Sequence, residues 1–116
     1  MLKSEINNLK SEIVLERSRM YALAILRYRR PLEEIVKVVD EHRAYLGDLK
    51  KKGILLASGP LDPRTGGALL LRVPDNDVQG TLDRVRDGDP FVKHGVAQYE
   101  LMAWNVMLGV DGLNKL

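Results

Sequence analysis

Cysteine is absent from the 116-residue chain, which excludes disulfides and thiolate zinc sites. Aromatic residues make up only 5% of the sequence, with one Trp and one Phe, so a core must be built mainly from Leu, Ile, Val and Ala. No apolar run approaches the ~20 residues that a membrane-spanning helix needs. The charged amino-terminal segment also lacks the apolar stretch of a signal peptide. We therefore expect a cytoplasmic location and no membrane partner.

A strong charge of one sign is also missing. The 18 basic and 16 acidic residues leave a net charge of +2, which creates no strong field for a phosphate backbone. The basic clusters at residues 27–30 and 50–52 have no aromatic stacking platform beside them, so we expect no nucleic-acid partner. The glycine-rich segment 53–67 contains neither GxGxxG nor GxxxxGK[ST], and no GxSxG occurs in the chain. The sequence therefore predicts neither a nucleotide loop nor a hydrolase nucleophile elbow.

What is present is a pattern of alternating strands and helices. The predicted elements are a strand over 20–28, a helix over 31–52, strands over 54–58 and 68–73, a helix from residue 75 or 76, and a strand over 96–107. This β-α-β-β-α-β order is typical of ferredoxin-like folds. We predict an α+β domain with a four-stranded antiparallel sheet over residues 20–110, followed by a tail over 111–116.

Residues 1–19 have a different pattern. Leu2, Ile6, Leu9 and Ile13 recur at helical spacing, so we predict an amino-terminal helical extension. Two heptads are too short for a stable free helix in water. The apolar stripe should therefore pack against the domain or against a partner chain.

His42 interrupts an otherwise apolar helical stripe. The members of this stripe are Leu32, Ile35, Val39, His42, Leu46 and Leu49. A buried imidazole without a partner costs roughly 1–3 kcal/mol, so its presence needs an explanation. It is either a core histidine bonded to a backbone carbonyl, or a general acid or base in a pocket between helix and sheet, a role that suits a group titrating near neutral pH.

Asp89 precedes Pro90, and Asp-Pro is a helix N-cap pattern. A capping carboxylate can also orient an imidazole, so the two roles do not exclude each other. His94 lies in a Lys-His-Gly turn that we expect to face solvent. A two-His, one-carboxylate metal site would need to use His42, Asp89 and His94. The two histidines lie on separate elements, and their spacing in the sequence is not that of a metal-binding pair. We predict no metal and no cofactor.

Three segments occur in an order and spacing that resemble the YciI-like, or YCII-related, family. They are His42–Leu46, Ala57–Pro60, and Asp89–Phe91 followed by Gly95. The resemblance extends from about Met20 to Leu108.

The resemblance implies a dimeric α+β barrel, related in architecture to muconolactone isomerases. It also implies an active site that uses a His and an Asp, which correspond here to His42 and Asp89. The residues that we expect to line the same site are Ser58, Gly59, Pro60 and Phe91. A characterised relative dehydrochlorinates a chlorinated hydroxyquinone without a cofactor.

Two functions follow as alternatives. The first is a cofactor-independent enzyme that uses His42 and Asp89 as an acid–base dyad on a small aromatic, hydroxyquinone or lactone-type substrate. Arg43 could then hold an anionic substrate, although its helix position also suits the surface. The second is a non-catalytic small-ligand-binding or assembly domain, in which His42 only packs. Both alternatives predict a homodimer or a higher homo-oligomer, because apolar residues occupy both faces of the strands.

Overall fold

The computed structural model describes residues 19–116. The predicted helical extension, with Leu2, Ile6, Leu9 and Ile13, lies outside the described residues except for Arg19, which is the first residue of the first strand.

The described chain folds into one sheet with its two longer helices on one face. In order, the elements are β1 (Arg19–Tyr28), α1 (Leu32–Lys51), β2 (Leu55–Pro60), β3 (Gly66–Pro74), α2 (Val78–Gly88), α3 (Pro90–Lys93), β4 (Ala97–Trp104) and α4 (Val110–Asn114). The strand order is β2-β3-β1-β4, and all three pairs of neighbours are antiparallel. This arrangement confirms the predicted α+β ferredoxin-like fold. No helix within residues 19–116 is long and apolar enough to cross a membrane.

The central strand β1 shows why the sheet has an inner and an outer face. Ala22, Ala24 and Leu26 alternate along it and are fully buried beneath the helices, as the two-residue period of a strand requires. Ala24 is paired with Leu69 on one side and Leu101 on the other. Small side chains at the centre of this face leave room for the aliphatic residues of neighbouring strands and helices.

Helix α1 begins directly after Pro31 and carries two glutamates in its first turn, where the helix dipole favours negative charge. Its buried residues are Ile35, Val38, Leu46 and Leu49. The predicted stripe is therefore wrong at its start, because Leu32 is 45% exposed and Val38 is buried instead. Val39 is only half-buried because it lines the cavity described below.

The carboxyl-terminal part of the chain differs most from the prediction. Strand β4 ends at Trp104, three residues earlier than predicted, because its pairing with β1 stops at Tyr21 opposite Trp104. Gly109, with a positive φ of 89°, then precedes the unpredicted α4. This helix is held by the Tyr21 hydroxyl, which donates to Asn114, and by Arg72, which donates to the Leu113 and Leu116 carbonyls.

Candidate functional site

Helix α1 places His42 against the sheet, and its side chain is only 12% exposed. The imidazole stacks on the Phe91 ring, with 3.9 Å between centroids and 5° between planes. Phe91 is in turn met edge-on by Tyr28, with 6.1 Å between centroids, a favoured geometry for aromatic pairs. Because Phe91 itself is buried, the stack fixes the plane of the imidazole.

Asp89 lies where α2 ends and α3 begins. Its Oδ1 accepts a hydrogen bond from the Phe91 amide at 2.9 Å, so it caps α3 as the Asp-Pro pair predicts. The same Oδ1 lies 2.8 Å from Nδ1 of His42, and Oδ2 accepts from the Tyr99 hydroxyl. The Asp89 side chain is fully buried, and these bonds give it the partners that a buried carboxylate requires.

These contacts determine the orientation of the imidazole. The Phe91 amide and the Tyr99 hydroxyl both donate to Asp89, and the carboxylate accepts a third hydrogen bond from His42 when Nδ1 of the imidazole carries the proton. In the neutral ring Nε2 is then the nitrogen with a lone pair. Asp89 does not line the cavity that His42 faces. Asp89 is therefore connected to the cavity only through His42, whose side chain lines it.

Two tyrosines surround the carboxylate. Burial raises the pKa of the Tyr99 hydroxyl, and the charge of Asp89 and the hydrogen bond to it raise it further. Burial, followed by the charges of Asp89 and Asp87, raises the pKa of Tyr45 to about 12. The Tyr45 hydroxyl donates to the Val85 carbonyl at 2.7 Å. Both phenols thus remain protonated near neutral pH and act as donors.

A cavity of about 310 Å³ opens beside His42. Helix α1 forms one wall, and β2 with the start of β3 forms another. The lining residues are Leu26, Tyr28, Val39, His42, Arg43, Leu46, Ser58, Gly59, Pro60, Arg64, Gly67, Ala68, Leu69 and Phe91. An apolar cavity of roughly 150 Å³ accepts benzene, so this one has room for a single substituted ring.

The structure brings together all of the residues expected at the site. His42, Ser58, Gly59, Pro60 and Phe91 line the cavity. Asp89 is joined to it through His42. His94 lies elsewhere, with its side chain 51% exposed and its Nε2 3.2 Å from the carboxylate of Glu41. Among residues 19–116, no cluster of three or more His, Asp or Glu could hold a metal ion.

The sequence did not predict a site role for Tyr99 or Arg64. A signal for Tyr99 was present, because strand alternation places it on the same face as Leu101 and opposite to Trp104. The contact between Tyr99 and Asp89 nevertheless depends on how the α2–α3 junction folds back. Arg64 had no signal, because it lies in the turn between β2 and β3, where exposed cations are ordinary.

The family model for the YCII-related domain matches residues 20–105. The chain belongs to the YCII-related family. The matched residues include His42, Asp89 and every residue that lines the cavity. No functionally curated protein matches the sequence.

Among solved structures, this YCII-related domain is similar to 5-chloro-2-hydroxyhydroquinone dehydrochlorinase from Burkholderia phenoliruptrix, in a complex with 2,5-dihydroxybenzoquinone. The two chains are 23% identical, with a TM-score of 0.60 over 74% of this chain and 95% of the other. This likeness shows that the two proteins share a fold.

Proposed function

We propose that this protein is a cofactor-independent enzyme in which His42 transfers a proton to and from a small aromatic, hydroxyquinone or lactone-type substrate. The observation that carries the proposal is the arrangement of one imidazole. Its Nδ1 is held by a fully buried carboxylate, while its ring lines a cavity with room for one ring. A general base needs this combination of fixed orientation and access to the ligand.

The chemistry follows from the two nitrogens. Nε2 of His42 takes a proton from the substrate, and Asp89 stabilises the imidazolium through Nδ1. The imidazolium then returns the proton to another atom of the substrate. Stacking on Phe91 keeps Nε2 in one place during both steps.

The dehydrochlorinase with the same fold suggests which substrates to test. In a chlorinated hydroquinone, the imidazole would carry a proton from one ring hydroxyl to the carbon that bears chlorine. Chloride would then leave with its bonding pair while a second hydroxyl loses its proton. The ring becomes a quinone, HCl is released, and the balance requires no oxidant or metal.

The test is chloride release from 5-chloro-2-hydroxyhydroquinone under anaerobic conditions. We expect the protein to exceed the rate in buffer, and His42→Ala to lower the rate by about 100-fold or more, the usual contribution of a positioned acid–base group. His94→Ala is the matched control, because His94 is the only other histidine of the chain and does not line the cavity. An equal loss in both variants would contradict the role of His42, and no release by the wild type would contradict the substrate class.

A non-catalytic ligand-binding domain is the alternative, and the stack of His42 on Phe91 favours it. In that case the imidazole serves as a rigid wall of the cavity. His42→Phe would then keep ligand binding, since a second phenyl ring also stacks on Phe91. The proposed enzyme would bind its ligand in this variant but lose turnover.

We also infer that the protein forms a homodimer through the outer face of the sheet. The apolar residues of this outer face are Leu23 and Ile25 of β1, Ala68 and Leu70 of β3, and Met102 and Trp104 of β4, while the register also places Glu100 on it, opposite Ile25. Met102 is 39% and Trp104 42% exposed. Helix α4 is bonded to Tyr21 and Arg72 at one end of this face. Exposed large apolar residues close together on one face are typical of an interface.

A further inference from the structure

The walls of the cavity carry positive charge and no negative charge. No Asp or Glu is among the residues that line it, whereas Arg43 and Arg64 both are. The rest of the lining, apart from His42 and Ser58, is aliphatic, aromatic or glycine. The whole chain has a net charge of only +2, so this concentration of cations is a local property of the cavity.

Arg43 belongs to the face of α1 that forms the cavity wall. Val39, His42, Arg43 and Leu46 recur at positions i, i+3, i+4 and i+7, which lie on one side of a helix. All four residues line the cavity.

Arg64 reaches the cavity from the opposite wall. The turn that carries it is closed by hydrogen bonds from the Leu61 amide to the Gly66 carbonyl and from the Thr65 amide to the Pro63 carbonyl. Within residues 19–116, neither Arg43 nor Arg64 makes an ion pair, in contrast to Arg27, Arg84 and Arg86. Two guanidinium groups are thus available at the cavity from separate elements.

We infer that Arg43 and Arg64 select a ligand with an anionic oxygen, such as a carboxylate or a ring oxyanion, on a single apolar ring. This inference rests on the proposed function, because it assumes that the cavity beside His42 takes a ring compound. Guanidinium groups bind planar anionic oxygens through charge-assisted hydrogen bonds. The ring occupies the apolar part of the cavity near Phe91, and the anionic group points towards the arginines.

The experiment compares benzoate with benzamide, which have nearly the same shape but differ in charge. Binding is measured by NMR from the amide signals of Ser58 and Gly59. We expect benzoate to bind about tenfold more tightly than benzamide, the effect of one charge-assisted hydrogen bond. Arg43→Gln and Arg64→Gln should each lower that preference, and the double variant should abolish it.

Arg84→Gln provides the matched control. It removes the same charge, but Arg84 is bound to Asp77 and does not line the cavity, so the preference for benzoate should persist. Equal affinity for the two compounds in the wild type would overturn the anion preference while leaving the proposed ring-binding enzyme standing. If neither compound binds, the anion preference and the proposed ring-binding enzyme are both contradicted. A preference for benzoate that survives the Arg43 and Arg64 substitutions would overturn the assignment to these arginines.

Discussion

At the scale of single residues, Asp89 contributes both to the fold and to the candidate site. Its carboxylate caps α3 through the Phe91 amide, holds His42 and accepts from Tyr99. The contacts of Asp89 are difficult to predict from the sequence, because its partners come from three separate parts of the chain. Its N-cap role was predictable from the Asp-Pro pair, and the His42 contact was expected from the family resemblance rather than from periodicity.

The bond between Tyr99 and Asp89 predicts a specific dependence of stability on pH. An ordinary tyrosine titrates near about pH 10, and the pKa of Tyr99 is higher in the folded protein. Above about pH 10 the unfolded chain therefore loses a proton that the native state retains, so stability falls as pH rises. Below that pH the contribution of Tyr99 to stability is fully present.

Tyr99→Phe tests this prediction. At about pH 8 we expect it to lower the free energy of unfolding by about 1.5–3 kcal/mol, the usual contribution of a hydrogen bond to a charged group. The difference from the wild type should shrink between about pH 10 and 11, because the variant lacks the group that titrates. Urea denaturation across this range measures it, and a difference that stays constant with pH would count against the account.

At the scale of secondary-structure elements, the approach of β3 to β1 depends on Gly66. A Cβ atom at Gly66 would lie 1.7 Å from the carbonyl oxygen of Leu26, a backbone atom that cannot move without disturbing the sheet. We predict that Gly66→Ala destabilises the protein by about 3 kcal/mol or more, in the range of severe overpacking.

Gly47→Ala is the matched comparison for Gly66→Ala. Gly47 lies within α1, and a Cβ atom there would meet no atom of another element within 4 Å. Alanine at this position should stabilise the helix by up to about 1 kcal/mol. Thermal unfolding of both variants gives the result. Similar effects of the two substitutions would show that the close contact at Gly66 is not limiting.

The element order was predictable because each strand and helix has its own apolar period and its own turn residues. The carboxyl-terminal end of the chain and the start of α1 were less predictable. Helix α4 has weak local signals and is held by contacts to Tyr21 and Arg72, which are distant in sequence. Likewise Val38 is buried in place of Leu32, because burial along α1 depends on where the sheet and the cavity lie beneath it.

At the scale of the whole molecule, the sheet has an inner face covered by helices and an outer face that exposes Met102 and Trp104. If the outer face forms the homodimer, light scattering should give about twice the chain mass of 13.1 kDa. Met102→Lys, which puts a charge on this face, should shift the protein towards monomer because an unpaired charge is costly to bury.

Val36→Lys is the control for Met102→Lys. Val36 is also an exposed apolar residue, at 56%, but it lies on α1 and not on the sheet. This variant should keep the wild-type mass. A monomeric wild type, or equal dissociation of both variants, would contradict an interface on the outer face.

The central claim is that Asp89 fixes His42 so that Nε2 meets a ring ligand in the cavity. Nitrogen-15 NMR of the two histidines tests it, recorded above about pH 8, where an ordinary imidazole is neutral. We predict that His42 carries its proton on Nδ1, and that adding 2,5-dihydroxybenzoquinone shifts its Nε2 signal but not the signals of His94. A proton on Nε2 of His42, or an unchanged His42 while the amides of Ser58 and Gly59 respond to the ligand, would contradict the account.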